Sequence, residues 1–212
     1  MKLGAKIGEG AFRECFEVEG WPDLCAKVQT PYKLLKVPRS SALMEVRTSV
    51  YVLMRTGFLD ANFWELDALG QMPDSLREYV PEYFGWSRVD RDRSALYVER
   101  PMNFDGSFSE RIKDHGPVED PGFWEEIEFI VAEIRAAGSK AADVLNPKGH
   151  NLLVQRTSEH GARPVLIDVK HFGQKLLALR EIWRNRERYI NQNFEEHVAR
   201  FRERFDAKAR LG

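Results

Sequence analysis

The sequence predicts an α+β fold in which a small antiparallel sheet with one helix precedes a reduced, mainly helical half. Short alternating runs separated by turn residues fill residues 5–30 and 82–100, and apolar residues at helical spacing dominate 120–138 and 175–205. One domain over 1–212 is expected, with a sheet-bearing part over 1–100, a crossing at 101–103 and a helical part over 104–212.

Three strands are expected over 5–30, with Gly8 and Gly10 in the first connection and Gly20-Trp21-Pro22-Asp23 as the second turn. Leu43, Val46, Val50 and Leu53 recur at helical spacing, which predicts an amphipathic helix over 40–55 with Glu45 beside its apolar stripe. Segment 57–80, which contains Glu65, shows no readable period. Glu82–Val89 and Ala95–Arg100 predict a hairpin, and Pro101-Met102-Asn103 follows it as an extended crossing. Asp120 and Pro121 start a helix with Phe123, Ile127, Ile130, Val131 and Ile134 on its buried face and Gly138 as its C-cap. Two further helices carry Leu176, Leu179, Trp183 and Ile190, then Phe194, Val198, Phe201 and Phe205.

The chemistry-bearing residues follow a recognisable order. Ile7-Gly8-Glu9-Gly10-Ala11-Phe12-Arg13 can cover phosphates closely, and Lys27 stands on the third strand of the same sheet. Near the end come Asn146-Pro147-Lys148-Gly149-His150-Asn151 and then the apolar run that ends in Ile167-Asp168. Protein kinases hold ATP with a Gly-rich loop, a strand lysine paired to a helix carboxylate, and a loop asparagine and later aspartate on magnesium. Magnesium is a hard cation that favours such oxygens. On that template Gly8, Gly10, Arg13 and Lys27 face the nucleotide, Glu45 pairs with Lys27, and Asn151 and Asp168 are the metal ligands. Lys148 reaches the transferring phosphate as a point charge, and Met102 pads the adenine face. A plain linker at Met102 has the same signature.

These residues, together with Cys15-Phe16 and Asn103-Phe104-Asp105-Gly106, resemble the bacterial PhoP-regulatory-network (YrbL-like) family, a compact branch of the protein-kinase-like superfamily. The resemblance covers most of the chain. It implies a two-lobed protein-kinase-like fold and a phosphotransfer or nucleotide-binding role with ATP and Mg2+.

Two positions depart from an active kinase. The catalytic aspartate five residues before the metal-binding asparagine is replaced by Asn146, whose neutral amide can hold a hydroxyl but cannot take its proton. Asp143 either swings into that role or caps the local turn, the commoner use of such an aspartate. Arg13 replaces the third glycine. In a hairpin centred on Gly20 it lies opposite Lys27, so the two cations need an anion, either phosphate or a carboxylate such as Glu14 or Glu45. The same register sets Cys15 across from Cys25, a geometry in which a disulfide is conceivable, and reduced, buried thiols are the favoured expectation there. No Ala-Pro-Glu anchor follows Asp168, so the acceptor is expected to be a small molecule, an unusual protein or the chain itself. The rival expectation is a pseudokinase, a nucleotide-binding or purely regulatory interaction module.

A chain of 212 residues with 43% hydrophobic residues can bury a two-lobed core but is short for a kinase with full peptide-binding machinery. A net charge of -1 gives no electrostatic reason to expect nucleic acid or an anionic membrane as partner. Segment 175–210 holds ten basic and six acidic residues, a balance that reads as a solvated helix face. His150 and His171 flank the magnesium ligands as donors to them rather than as ligands. No run matches a signal peptide or a membrane span, so a cytoplasmic protein is expected.

Overall fold

The computed structural model describes residues 1–10, 13–29, 61–90, 93–137, 145, 147–169 and 194–206. The helices expected over 40–55 and 176–190, and with them Glu45, Asp143, Asn146 and His171, lie outside the described residues. The architecture is α+β, with a small antiparallel sheet and a few helices. Chain contacts divide it into two compact units, Met1–Leu66 with Glu82–Arg100 and Asp67–Pro81 with Pro101–Gly212. Residues 67–81 therefore group with the second unit, although the sequence placed everything before residue 100 with the sheet.

The first unit is built on β1 (Leu3–Glu9), β2 (Arg13–Val18), β3 (Trp21–Gln29), β4 (Tyr83–Arg88) and β5 (Ser94–Glu99) in the order β1-β2-β3-β5-β4, every neighbouring pair antiparallel. Alternation along the strands sorts the core to two faces. Leu24, Ala26, Val28, Ala95 and Tyr97 pack together in one cluster, and Cys25, Leu96 and Val98 in another. Helix α1 (Ala61–Gly70) supplies Leu66 to the second cluster, beside Cys15 and Tyr83.

The β2–β3 register differs from a hairpin centred on Gly20. Gly20 does make the turn, at φ 81°, and Val18 pairs with Trp21 across it, but the next pair is Glu17 with Cys25. Pro22, Asp23 and Leu24 bulge between those pairs, and Pro22 has no N–H to give to a ladder. Cys15 is consequently opposite Lys27, and Arg13 is opposite Gln29. Neither the Arg13–Lys27 nor the Cys15–Cys25 facing pair exists. The slip is an even number of residues, so each side chain keeps its expected face.

In the second unit, the expected amphipathic helix is α3 (Pro121–Ala136), which follows the short β6 (Glu110–Arg111) and α2 (Ile112–His115). Asp120 caps α3 by accepting from Gly122 N, and the five predicted core residues are buried together with Trp124. The observed C-cap is Ala137, one residue before Gly138. β7 (Leu152–Arg156) and β8 (Ala162–Leu166) form a hairpin beside β6. Helix α4 (Phe194–Phe205) buries Val198, Phe201 and Phe205, again as the spacing predicts. A 3-10 turn over Asp74–Tyr79 adds Leu76 and Tyr79 to this core.

Candidate functional site

In the first unit the functional side chains converge on one buried carboxylate. Glu65 on α1 is 0% exposed. Its Oε1 accepts from Lys27 Nζ at 2.6 Å and from the Tyr83 hydroxyl at 2.7 Å, and its Oε2 is paired with the Arg13 guanidinium. Asn62, one helical turn earlier, accepts from Arg13 Nη1 at 3.2 Å. Its amide donates to the Lys27 carbonyl at 3.0 Å and to the Ser94 hydroxyl at 2.9 Å. Spacing of three residues sets Asn62 and Glu65 on the same helix face. That face is docked to the sheet through polar contacts to β2, β3, β4 and β5.

The electrostatics are those of an ion cluster rather than a lone buried charge. Burial pushes the Glu65 carboxyl up, but Arg13, Lys27 and the hydrogen bonds from Lys27 and Tyr83 outweigh it and leave a value of about 2. Glu65 is therefore ionised at neutral pH. Tyr83 is pushed well up, by its burial first and then by the charge of Glu65, so its phenol stays a donor.

Among the described residues the carboxylate paired with Lys27 is Glu65; Glu45, which the sequence reading took for that role, lies outside them. Arg13 is 7% exposed and shares the Glu65 carboxylate with Lys27. Sequence reasoning missed Glu65 and Asn62 because the buried face of α1 is partly polar and lacks an apolar period, and Tyr83 because its role on β4 follows only from where Glu65 docks. A usable signal was present nonetheless: Asn62 and Glu65 stand three residues apart in a segment bounded by Gly57 and Gly70.

Gly8, expected in the connection, lies within β1 opposite Cys15, whereas Gly10 follows the strand and its N–H donates to the Arg13 carbonyl at 2.7 Å. Neither glycine takes the left-handed backbone. A Cβ on Gly8 would touch Cys15 Cβ at an ordinary 3.7 Å, and one on Gly10 would reach the Arg13 carbonyl at 3.4 Å.

In the second unit, β7 and β8 bring Asn151 and Asp168 to the same end of their hairpin. Leu152 pairs with Leu166, and Ile167 N–H donates to the Asn151 carbonyl at 2.9 Å. Both residues are partly buried. Asp168, at φ 62°, is the one non-glycine residue with positive φ among those described. Such a backbone costs of order 1–3 kcal/mol and concentrates at functional sites. The preceding loop is pinned from below: Gly149, at φ 62°, lies where a Cβ would come within 2.7 Å of Phe205 and 2.8 Å of Ile112, and Arg204 donates to the Pro147 carbonyl at 3.0 Å. Lys148 and His150 are exposed on either side of that glycine. His150 is pushed down, first by partial desolvation and then by Lys113, Arg111 and Lys148.

The donor set fits magnesium in kind. An amide and a carboxylate are hard oxygen ligands, and Mg2+ commonly takes one or two protein ligands and fills its other positions with water and phosphate oxygens. Among the described residues no three His, Cys, Asp or Glu side chains gather into a metal-holding group. Those two oxygens are what Asn151 and Asp168 would offer a magnesium ion.

Met102 and Asn103 serve the fold of the second unit. Met102 bridges to Phe108, and its carbonyl accepts from Gln155 at 2.8 Å. Asn103 donates to the Ser107 hydroxyl at 2.9 Å and accepts from Arg156 N–H at 2.8 Å, while Gly106, at φ 79°, turns the chain. The Met102 side chain is 37% exposed. Among the described residues no helix is long and apolar enough to cross a membrane. No family model matches the chain, and no curated protein matches it.

Proposed function

We propose that the chain is a kinase-like phosphotransferase using Mg-ATP, with the two-lobed protein-kinase-like fold and the PhoP-regulatory-network (YrbL-like) family membership that its motifs resemble. The observation that carries the reading is the buried pair of Lys27 on β3 with Glu65 on α1. A strand lysine oriented by a helix carboxylate is the arrangement kinases use to steer an ammonium onto nucleotide phosphates. The strained Asp168 beside Asn151 supports it independently.

In this reading Glu65 and Asn62 fix Lys27, through its side chain and its carbonyl respectively, so that little reorganisation accompanies binding. Lys27 binds phosphate oxygens, Gly8 and Gly10 allow close cover, and the Met102 side chain packs the base. Asn151 and Asp168 would hold a magnesium ion, which would supply neutralisation of the phosphate charge. Lys148 meets the transferring group. Arg13 is a positioning residue that shares the charge of Glu65 and keeps the carboxylate ionised. The acceptor is a small molecule, an unusual protein or the chain itself.

Asn146 favours a second reading, a pseudokinase that binds nucleotide without turnover or acts as a regulatory module. General-base assistance is worth about 10²–10⁴-fold, so its loss slows a phosphotransferase without abolishing positioning and charge stabilisation. Single-turnover assays with Mg-ATP on wild type and Asn146→Asp separate the two. Slow transfer by wild type supports the enzyme; transfer only in the variant supports the pseudokinase.

A further inference from the structure

The chain has two cysteines, both free, on adjacent strands of the first unit. Cys15 is opposite Lys27 and Cys25 is opposite Glu17, so the two side chains share a face one register step apart, on a diagonal. Both belong to the cluster of Leu96, Val98, Leu66 and Tyr83, Cys25 buried and Cys15 half-buried. Around Cys15 stand Lys27 and Cys25 from β3, Arg13 and Glu17 from its own strand, and Arg100 at the end of β5. Tyr83 of β4 packs on the same cluster, and Glu65 of α1 joins it through Lys27. From β1 the register partner is Gly8, which offers no charge.

This setting makes the thiols unequal. The neighbouring Cys25 thiol holds Cys15 down to about 7, against burial and with help from Lys27, Arg100 and Arg13. Cys25 is pushed far up by Cys15 and by burial. Cys15, partly buried, is thus the thiol that ionises first near neutral pH, while its neighbour keeps its proton.

We propose that Cys15 and Cys25 form a dithiol modification site that takes oxidants of the hydroperoxide class and closes into a cross-strand disulfide. The Cys15 thiolate attacks the terminal hydroxyl oxygen of the peroxide; the S–O bond forms, the O–O bond breaks, and the other oxygen leaves as hydroxide from hydrogen peroxide or alkoxide from an organic hydroperoxide, taking a proton from solvent to give water or the alcohol. Sulfur loses two electrons and the peroxide gains them, leaving Cys15 as a neutral sulfenic acid. Removal of the negative charge at Cys15 lowers the barrier to deprotonating Cys25. Its sulfur then attacks Cys15, the S–S bond forms, the S–O bond breaks, and the hydroxyl leaves with the Cys25 proton as water.

Diagonal partners in an antiparallel pair lie roughly 7–8 Å apart at Cα, just beyond the roughly 4.4–6.8 Å that a disulfide spans without backbone movement. Closing the bond draws β2 and β3 together and shifts Lys27, the direct partner of Cys15, relative to Glu65. A bond formed under that strain is readily reduced, which makes the modification reversible. The inference is independent of whether the chain binds nucleotide.

The test is peptide mapping of the full chain after treatment with hydrogen peroxide at neutral pH, beside the alkylation rates of the two thiols by iodoacetamide. Expected are a linked Cys15–Cys25 peptide that dithiothreitol reverses, a dimedone adduct at Cys15 in Cys25→Ala, and alkylation of Cys15 at least about 10-fold faster than Cys25. Two reduced thiols after peroxide, oxidation at Cys25 first, or links only between chains would overturn the proposal. The wild-type measurements stand even where Cys25→Ala fails to fold.

Discussion

Glu65 is the residue on which the first unit turns. Replacing it with alanine leaves Arg13 and Lys27 buried without their shared anion, a change that typically costs about 3–5 kcal/mol; urea unfolding measures it, and a loss under 1 kcal/mol would mean the cluster contributes little. Its titration gives a second prediction. The folded value, about 2, lies below the ordinary 4.5, so Glu65 stabilises the fold fully above pH 4.5, and the contribution falls away as pH drops from there toward 2. Glu65→Gln should show a shallower acid limb than wild type in that window, whereas superimposable limbs would contradict the assigned cluster. Asp168 is the corresponding residue in the second unit. Its left-handed backbone suits glycine, so Asp168→Gly should change stability by no more than about 0.5 kcal/mol, less than the roughly 1 kcal/mol usual for a substitution to glycine, while removing any response to Mg-ATP. A large destabilisation would give Asp168 a structural role.

Secondary-structure elements carry the site through their ends and registers. Asp120 caps α3 at Gly122 N and also accepts from Ala162 N at 2.7 Å, tying the helix to β8. Asp120→Ala should cost about 1–2 kcal/mol, and thermal unfolding checks it. Gly149→Ala forces a methyl onto Phe205 and Ile112 at a left-handed backbone, an overpacking change of about 1–3 kcal/mol. The elements also show what the sequence disclosed. α3 and α4 were legible because their buried faces are apolar at helical spacing, and the five strands because turn residues bracket them. α1 was not, since its docking face uses Asn62 and Glu65, and polar contacts leave no apolar period. The β2–β3 register was misread because a bulge at Pro22 to Leu24 is a local backbone event that alternation cannot reveal. At the site, Lys27, Asn151 and Asp168 follow from order and residue type, whereas the partner of Lys27 depends on which helix docks, a tertiary fact.

At the scale of the molecule, the proposed ligands come from both units: Lys27 from the sheet unit, Asn151 and Asp168 from the helical one. Mixed surface charge and a net charge of -1 leave specificity to these local groups. The central claim is that Lys27 and Asp168 each contribute to binding Mg-ATP. A ligand that binds only the folded chain stabilises it by about 2.7 kcal/mol at a hundredfold excess over Kd. The most direct measurement is thermal unfolding with and without Mg-ATP for wild type, Lys27→Met and Asp168→Asn. The account predicts a rise in Tm for wild type that is lost in both variants. An unshifted wild type, or a shift that survives both substitutions, would contradict it.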